Sequence, residues 1–165
     1  MTIIVGFCAS RANTGKTTLL LRVLAELRRR GLKVAVLKHG RHLDEEGEEE
    51  KDSSRYAAAG AEACLFMSPQ GWQLEARPAE EPSLQQAVSL LQGYSPCQVL
   101  LVEGYKQAAI PKIALCRAAV SLDLPCPASQ LSALVCDVPL DTDLPCFDFS
   151  QVGELCDFIL ALPPA

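Results

Sequence analysis

The sequence predicts an α/β fold with a mostly parallel central sheet and helices on both faces, and three observations point to it. A β-branched and apolar run, Thr2-Ile3-Ile4-Val5-Gly6-Phe7-Cys8, passes through a polar loop into a helix whose apolar residues recur at Leu19, Leu20, Val23, Leu24 and Leu27. A second short run, Lys33-Val34-Ala35-Val36-Leu37-Lys38, follows that helix, so the chain starts with a βαβ unit. A third, Gln98-Val99-Leu100-Leu101-Val102-Glu103-Gly104, stays apolar without alternation until its acidic end, the pattern of a central strand covered on both sides. With 165 residues the chain is long enough for one domain with a sizeable core, expected to span residues 1–165.

The loop between the first strand and the first helix carries the chemistry. It reads Ser10-Arg11-Ala12-Asn13-Thr14-Gly15-Lys16-Thr17-Thr18 and fits G-x-x-x-x-G-K-[ST] except that Ser10 stands at the first glycine. In such a loop, backbone N–H groups surround the phosphates of a nucleotide and the lysine neutralises the terminal ones. Gly15 lets the backbone approach a phosphate, Lys16 supplies a point charge, and the Thr17 hydroxyl is placed to ligate Mg²⁺. The helix start adds its positive dipole end. Ala12, Asn13, Thr14, Gly15, Lys16, Thr17 and Thr18 are therefore the candidate nucleotide-binding residues of a P-loop NTPase-like fold. Asn13 tolerates positive φ better than most residues, whereas Arg11 either reaches a phosphate or stands in solvent. The alternative is an ordinary helix start with a threonine cap; the strand before and the helix after favour the phosphate loop.

Composition narrows the function further. A net charge of −5 argues against a nucleic-acid-binding or anionic-membrane face, which would want a basic stripe. The eight cysteines contain no C-x-x-C pair and no histidine at ligand spacing, so they read as small buried hydrophobes in a reducing compartment. No apolar run approaches the roughly 18 to 20 residues of a membrane helix, and the nucleotide loop occupies the place of a signal-peptide cleavage site. A cytoplasmic protein is expected.

The remaining elements follow in order. Arg28-Arg29-Arg30 closes the first helix with cations at its negative end, and Gly31 stops it. In parallel sheets ligands sit beyond the carboxyl ends of the strands, which singles out the polar segment from Lys38 to Arg55. It holds His39, His42 and Asp44, open to ligand roles, and the run Glu45 to Glu50, which reads as a solvated loop because like charges repel. A helix from about Ser53 to Gly60 leads into Ala63–Met67 and a hairpin-like partner at Trp72–Ala76. Pro78 to Pro82 is a loop, and Ser83 caps a helix with Leu84, Ala87, Val88 and Leu91 on one face.

At the tip of the central strand, Glu103 offers a carboxylate to Mg²⁺, directly or through water, opposite Thr17. The loop from Tyr105 carries Lys106 and, with the next strand, Lys112, either of which suits an anion or simply lies at the surface. Ser132–Cys136 is a further strand whose end presents Asp137, an acid able to accept from a guanine edge or to remain a solvated loop residue. A last helix, Ser150 to Leu160, puts Val152, Leu155, Cys156 and Ile159 on one face.

Taken together, these segments resemble the MobB family of molybdopterin-guanine dinucleotide biosynthesis adapter proteins. The resemblance rests on the phosphate loop, Val36-Leu37-Lys38-His39 with His42, Lys51-Asp52-Ser53 and Arg55, Leu101-Val102-Glu103-Gly104-Tyr105-Lys106, Pro111-Lys112-Ile113, and Asp137-Val138-Pro139-Leu140. It implies a GTP- and Mg²⁺-binding protein, usually a homodimer, with weak GTP hydrolysis. By the same resemblance it assists attachment of a guanine nucleotide to molybdenum cofactor, contacting the molybdenum cofactor guanylyltransferase and the molybdenum-insertion protein. Lys16 and Thr17 then carry the phosphate and magnesium roles, and Glu103 the strand-tip carboxylate. The chain departs from the family pattern at Asn13, where glycine is frequent, near Arg41 and Leu43, where the family often has a histidine and an aspartate, and at Glu48-Glu49-Glu50, in place of a Lys-Pro-Gly turn.

From the residues alone a second function stays open: a phosphotransferase using the same loop and metal to move a phosphoryl group onto a small metabolite. The chain lacks an Asn-Lys-x-Asp guanine signature, so guanine over adenine rests on the resemblance.

Overall fold

β-branched and apolar residues form strands at Ile3–Ala9 (β1), Val34–Lys38 (β2), Ala63–Ser68 (β3), Gly71–Ala76 (β4), Val99–Glu103 (β5), Lys112–Cys116 (β6), Ala133–Cys136 (β7) and Cys146–Phe147 (β8). Helices occupy Lys16–Arg29 (α1), Leu84–Tyr94 (α2) and Val152–Leu160 (α3) of this computed structural model. It describes residues 1–40, 55–56, 58–76 and 78–165. Backbone contacts divide the chain into two compact units, Met1–Gly40 with Leu84–Ala165, and Arg41–Ser83.

The larger unit is built on a six-stranded sheet of order β2-β5-β1-β6-β7-β8 in which every pairing is parallel. Its register sets Phe7 of β1 and Lys38 of β2 both opposite Glu103 of β5, so β2 and β5 end at one level and β1 runs on to Ala9. The chain leaves β1 toward β2 on one side, and later passes from β5 to β6 on the other. This reversal beside β1 makes the carboxyl ends of β1 and β5 a topological switch point, where open α/β sheets bind ligands.

Alternation along β1 serves two cores. Val5, Phe7 and Ala9 face α1 and α3, packing with Leu19, Val23, Leu27, Leu155 and Ile159. Ile4 faces the other way and joins Leu100, Val102 and Val88 of α2. Helices thus cover both faces, and β5 is fully buried from Val99 to Val102, as its unbroken apolar run requires.

The end of α1 follows from Gly31. With φ at 82° its N–H donates to the Arg28 carbonyl, and the Leu32 N–H reaches Leu27, satisfying carbonyls that the helix leaves open. Arg30 then ties α1 to α3 by donating to Asp157 and to the Gly153 carbonyl, while its Nε donates to Glu26 at 2.8 Å. Hydrogen bonds from Arg29 and Arg30 hold the Glu26 carboxyl down at about 2.

Two elements differ from the sequence reading. α3 starts at Val152, two residues later than expected, because the Asp148 carboxylate accepts from both the Ser150 N–H and its hydroxyl and holds Ser150 in a turn. β8 pairs only two residues with β7, too short a stretch to show a period. The helix expected over 53–60 is helical at residues 55, 56 and 58; residues 41–54 and 57 lie outside those described.

In the smaller unit, β3 and β4 pair antiparallel from Ala63↔Ala76 to Ser68↔Gly71, the hairpin that the two short runs suggest. Among the described residues they form a two-stranded sheet. Leu65, Phe66, Met67 and Leu74 are all exposed, Met67 at 71%.

All eight cysteines are free, and Cys8, Cys116, Cys136 and Cys156 are buried in the larger unit. Burial pushes the Cys8 thiol up to about 12 and that of Cys156 to about 11, so neither is a ready nucleophile. No helix among the described residues is long and apolar enough to cross a membrane.

Candidate functional site

Residues 10–15 carry the chain from the tip of β1 into α1 by two left-handed residues, Asn13 at φ 60° and Gly15 at φ 90°. Thr14 is buried, and its hydroxyl donates to the Arg11 carbonyl at 2.7 Å, closing the loop on itself. Gly15 is the N-cap of α1 and its carbonyl accepts the first helical bond, from Leu19 at 2.9 Å. No side chain caps this end and no acid lies in the first turn. The leading N–H groups of α1 are therefore free of intrahelical partners, and the dipole there favours an anion.

Across the β1–β5 crevice stands Glu103. Its carboxylate lies 4.0 Å from the Lys16 ammonium and accepts from the Thr17 hydroxyl at 3.5 Å. Both contacts are at the long limit of their kind, so the three groups converge without locking one another. Lys16 and Glu103 are largely covered, with side-chain exposures of 21% and 15%. A hydroxyl and a carboxylate facing each other suit Mg²⁺, which takes hard oxygen ligands and usually keeps several waters alongside one or two carboxylates and substrate phosphates. Thr17 and Glu103 are the residues that would hold it. Among the described residues, no group of three or more His, Cys, Asp or Glu is gathered to cage a metal outright.

The turn behind Glu103 is tightly built. The His39 N–H donates to the Glu103 carbonyl at 2.8 Å, joining the tips of β2 and β5. Gly104 follows at φ 100° and Tyr105 at φ 46°, and the Tyr105 ring stacks on His39 with centroids 4.3 Å apart. A Cβ on Gly104 would lie 2.8 Å from the His39 carbonyl oxygen, so only glycine permits this approach.

On the other side of β1, Asp137 is exposed at the end of β7, and its Oδ1 accepts the Ala118 N–H at 2.8 Å. Ser10 Oγ donates to Ser121 Oγ at 3.2 Å, tying the first loop residue to the segment after β6. At the tip of β6 stands Arg117, a residue that the sequence reading passed over. Its guanidinium lies 4.3 Å above the Phe149 ring and lodges against Gly15, 3.2 Å from where a Cβ would be. The signal for it was positional: Arg117 follows the strand Lys112–Cys116 at its carboxyl end, the edge on which ligands bind.

Other candidates fall elsewhere. Lys112 is no surface residue but 3% exposed, its stem against Gly6 and its ammonium donating to the Ala108 carbonyl at 2.6 Å. This cation braces the loop that follows Glu103. Lys38 and Lys106 are exposed, as is Arg11 in the phosphate loop. His42, Asp44 and the acidic run 45–50 lie outside the described residues, and Arg55 belongs to the smaller unit.

Known proteins share both this sequence and this fold. The sequence model of molybdopterin guanine dinucleotide synthesis protein B (MobB) matches residues 4–137. The molybdopterin-guanine dinucleotide biosynthesis adapter protein of Haemophilus influenzae is 31% identical over 90% of this chain and 83% of its own, and that of Escherichia coli 32% over 92% and 89%. Among solved structures, Bacillus subtilis MobB superposes with a TM-score of 0.71 at 27% identity, covering 96% of both chains. A molybdopterin-guanine biosynthesis protein B structure reaches 0.73 over 97% of this chain and 99% of its own at 24% identity, a likeness of fold. With a Gly-Lys-Thr loop opening onto a strand-tip glutamate, and likeness to these relatives along nearly its whole length, the chain belongs to the MobB family, molybdopterin guanine dinucleotide synthesis protein B.

Proposed function

We propose that this protein is a GTP-binding adapter with slow, Mg²⁺-dependent GTP hydrolysis, acting in the cytoplasm at the step that forms molybdopterin guanine dinucleotide. The observation that carries the reading is the convergence of Lys16 and Thr17 on Glu103 at the open N-terminus of α1. Lys16 and the loop N–H groups of residues 12–18 hold the triphosphate, while Thr17 and Glu103 hold the metal. Asp137 accepts from the guanine edge through the oxygen that Ala118 does not use. The partners are the molybdenum cofactor guanylyltransferase and the molybdenum-insertion protein, as the adapter names of the relatives support.

Titrating the purified protein with GTP and ATP, with and without Mg²⁺, tests this. GTP is expected to bind more tightly, and Mg²⁺ to strengthen it. Glu103→Gln is expected to cost about tenfold in affinity with Mg²⁺ and little without it, the size of one charge-assisted contact. Equal affinity in both conditions for the wild type would remove the metal from the site. Assaying released phosphate against a phosphorylated metabolite separates hydrolysis from the phosphotransferase alternative.

A homodimer completes the reading. A two-stranded sheet alone is at best marginally stable in water, and one face of β3–β4 exposes Leu65 and Met67 with their cross-strand partners Leu74 and Trp72. Covering them with the same surface of a second copy supplies the missing burial. Leu65→Ser with Met67→Ser is expected to sediment as a monomer at concentrations where the wild type is dimeric; an unchanged dimer would place the contact elsewhere.

A further inference from the structure

We propose that Arg117 is a phosphate-binding cation of this site, engaging the nucleotide phosphate nearest the sugar; the inference rests on the nucleotide reading above and assigns it a residue on the β6 side. Three observations lead there. The Arg117 guanidinium touches Gly15, the residue that caps α1 and hands the phosphate loop on to Lys16. Its Nε is buried without a hydrogen-bond partner, and no salt bridge among the described residues involves it. What holds the group is the Phe149 ring beneath it, itself 3.9 Å from the Gly15 Cβ position.

The placement is electrostatically unfavourable in the unliganded protein. A helix N-terminus carries partial positive charge, and a cation set against it is repelled rather than stabilised. Lys16 adds a second positive group on the same turn; its own neighbour Glu103 lies on the far side of β1, and the Asp137 carboxylate, which accepts from the Ala118 N–H, makes no ion pair with Arg117 among the described residues. Covered cations are ordinarily paired, and this one has a desolvated donor with nothing to donate to. An anion at the loop resolves all of these at once. It accepts from the guanidinium, offsets the helix dipole and separates the two cations.

Sheet order says which part of the ligand is concerned. Glu103 and Thr17 mark the metal end, where the terminal phosphates belong, on the β5 side of β1. Arg117 is on the β6 side, toward Asp137 at the end of β7. A polyphosphate lying along the loop from β5 toward β7 therefore passes Arg117 at its nucleoside end. The residue should recognise any nucleotide that keeps that phosphate, whatever the length of its tail. Phe149 fixes the guanidinium plane by cation–π contact, limiting the freedom lost when the phosphate arrives.

The test is calorimetry of the full chain with GTP and GDP in Mg²⁺, beside thermal melting without ligand. Arg117→Met is expected to weaken both nucleotides by the same factor, about tenfold or more, as the loss of one charge-assisted contact implies. Arg117→Lys, which keeps the charge but loses the planar group stacked on Phe149, should bind more weakly than the wild type and more tightly than Arg117→Met. The ligand-free melting temperature of Arg117→Met should not fall, since an unpaired cation has been taken from a helix N-terminus. Arg117→Gln serves if the methionine variant does not fold. Unchanged affinity in Arg117→Met would overturn the proposal, and so would equal losses in the methionine and lysine variants accompanied by a lowered melting temperature, the mark of packing alone. A wild-type protein that binds neither nucleotide would overturn both this and the reading it rests on, whereas wild-type binding with an indifferent Arg117 would overturn this alone.

Discussion

Lys16→Ala is expected to abolish nucleotide binding, with a loss on the order of a hundredfold or more, and to leave the fold intact. The size follows from what the ammonium does in a phosphate loop: it meets the most highly charged part of the ligand, and hydrogen bonds to charged groups are worth about 1.5–3 kcal/mol each. Partial cover raises the cost, because at 21% exposure little water is at hand to replace the lysine. The fold has little to lose. Lys16 starts α1 rather than filling its core face, and its acidic neighbour, Glu103, is at 4.0 Å. Truncating a side chain that lies off the core face is expected to alter stability by about 1 kcal/mol at most. Calorimetry with GTP beside a thermal melt separates the two: unchanged affinity would refute the site, and a collapsed melt would show that Lys16 holds the fold.

The sheet and the convergence of Lys16, Thr17 and Glu103 were legible because their signals are local or period-based. The apolar run Val99–Val102 could only be a doubly covered strand, and its acidic terminus had to emerge at the carboxyl edge, where Lys16 and Thr17 also lie. Asn13 was singled out as the loop residue tolerant of positive φ, and it sits at 60°. What escaped depends on contacts between distant segments. Arg117 is one arginine among many until β6 is placed beside β1 and Phe149 returns from the far end of the chain to support it. Lys112 read as a surface lysine because nothing nearby in sequence announces that Gly6, more than a hundred residues earlier, leaves room for its stem. The late start of α3 is a competition between a helix N-terminus and an aspartate turn, which propensity alone does not decide.

The second large effect is expected at Gly104. Alanine there meets two penalties together: a φ of 100°, which side chains rarely adopt, and a Cβ placed 2.8 Å from both the His39 carbonyl oxygen and its Cβ. The first costs about 1–2 kcal/mol on its own, and the clash is with backbone, which cannot rotate away. His39 is held in place by its N–H bond to Glu103 and by the Tyr105 ring, so relief requires the tips of β2 and β5 to separate. A total of about 3 kcal/mol is therefore expected, together with displacement of the Glu103 carboxylate and weakened Mg²⁺-dependent GTP binding. Gly93→Ala is the control. It lies within α2 with nothing near its Cβ position and no positive φ, so the same chemical change should be neutral or stabilising by up to about 1 kcal/mol. The contrast isolates geometry from the generic effect of losing a glycine. If Gly104→Ala melts with the wild type while Gly93→Ala also does, the close approach of His39 to the turn is not what positions Glu103.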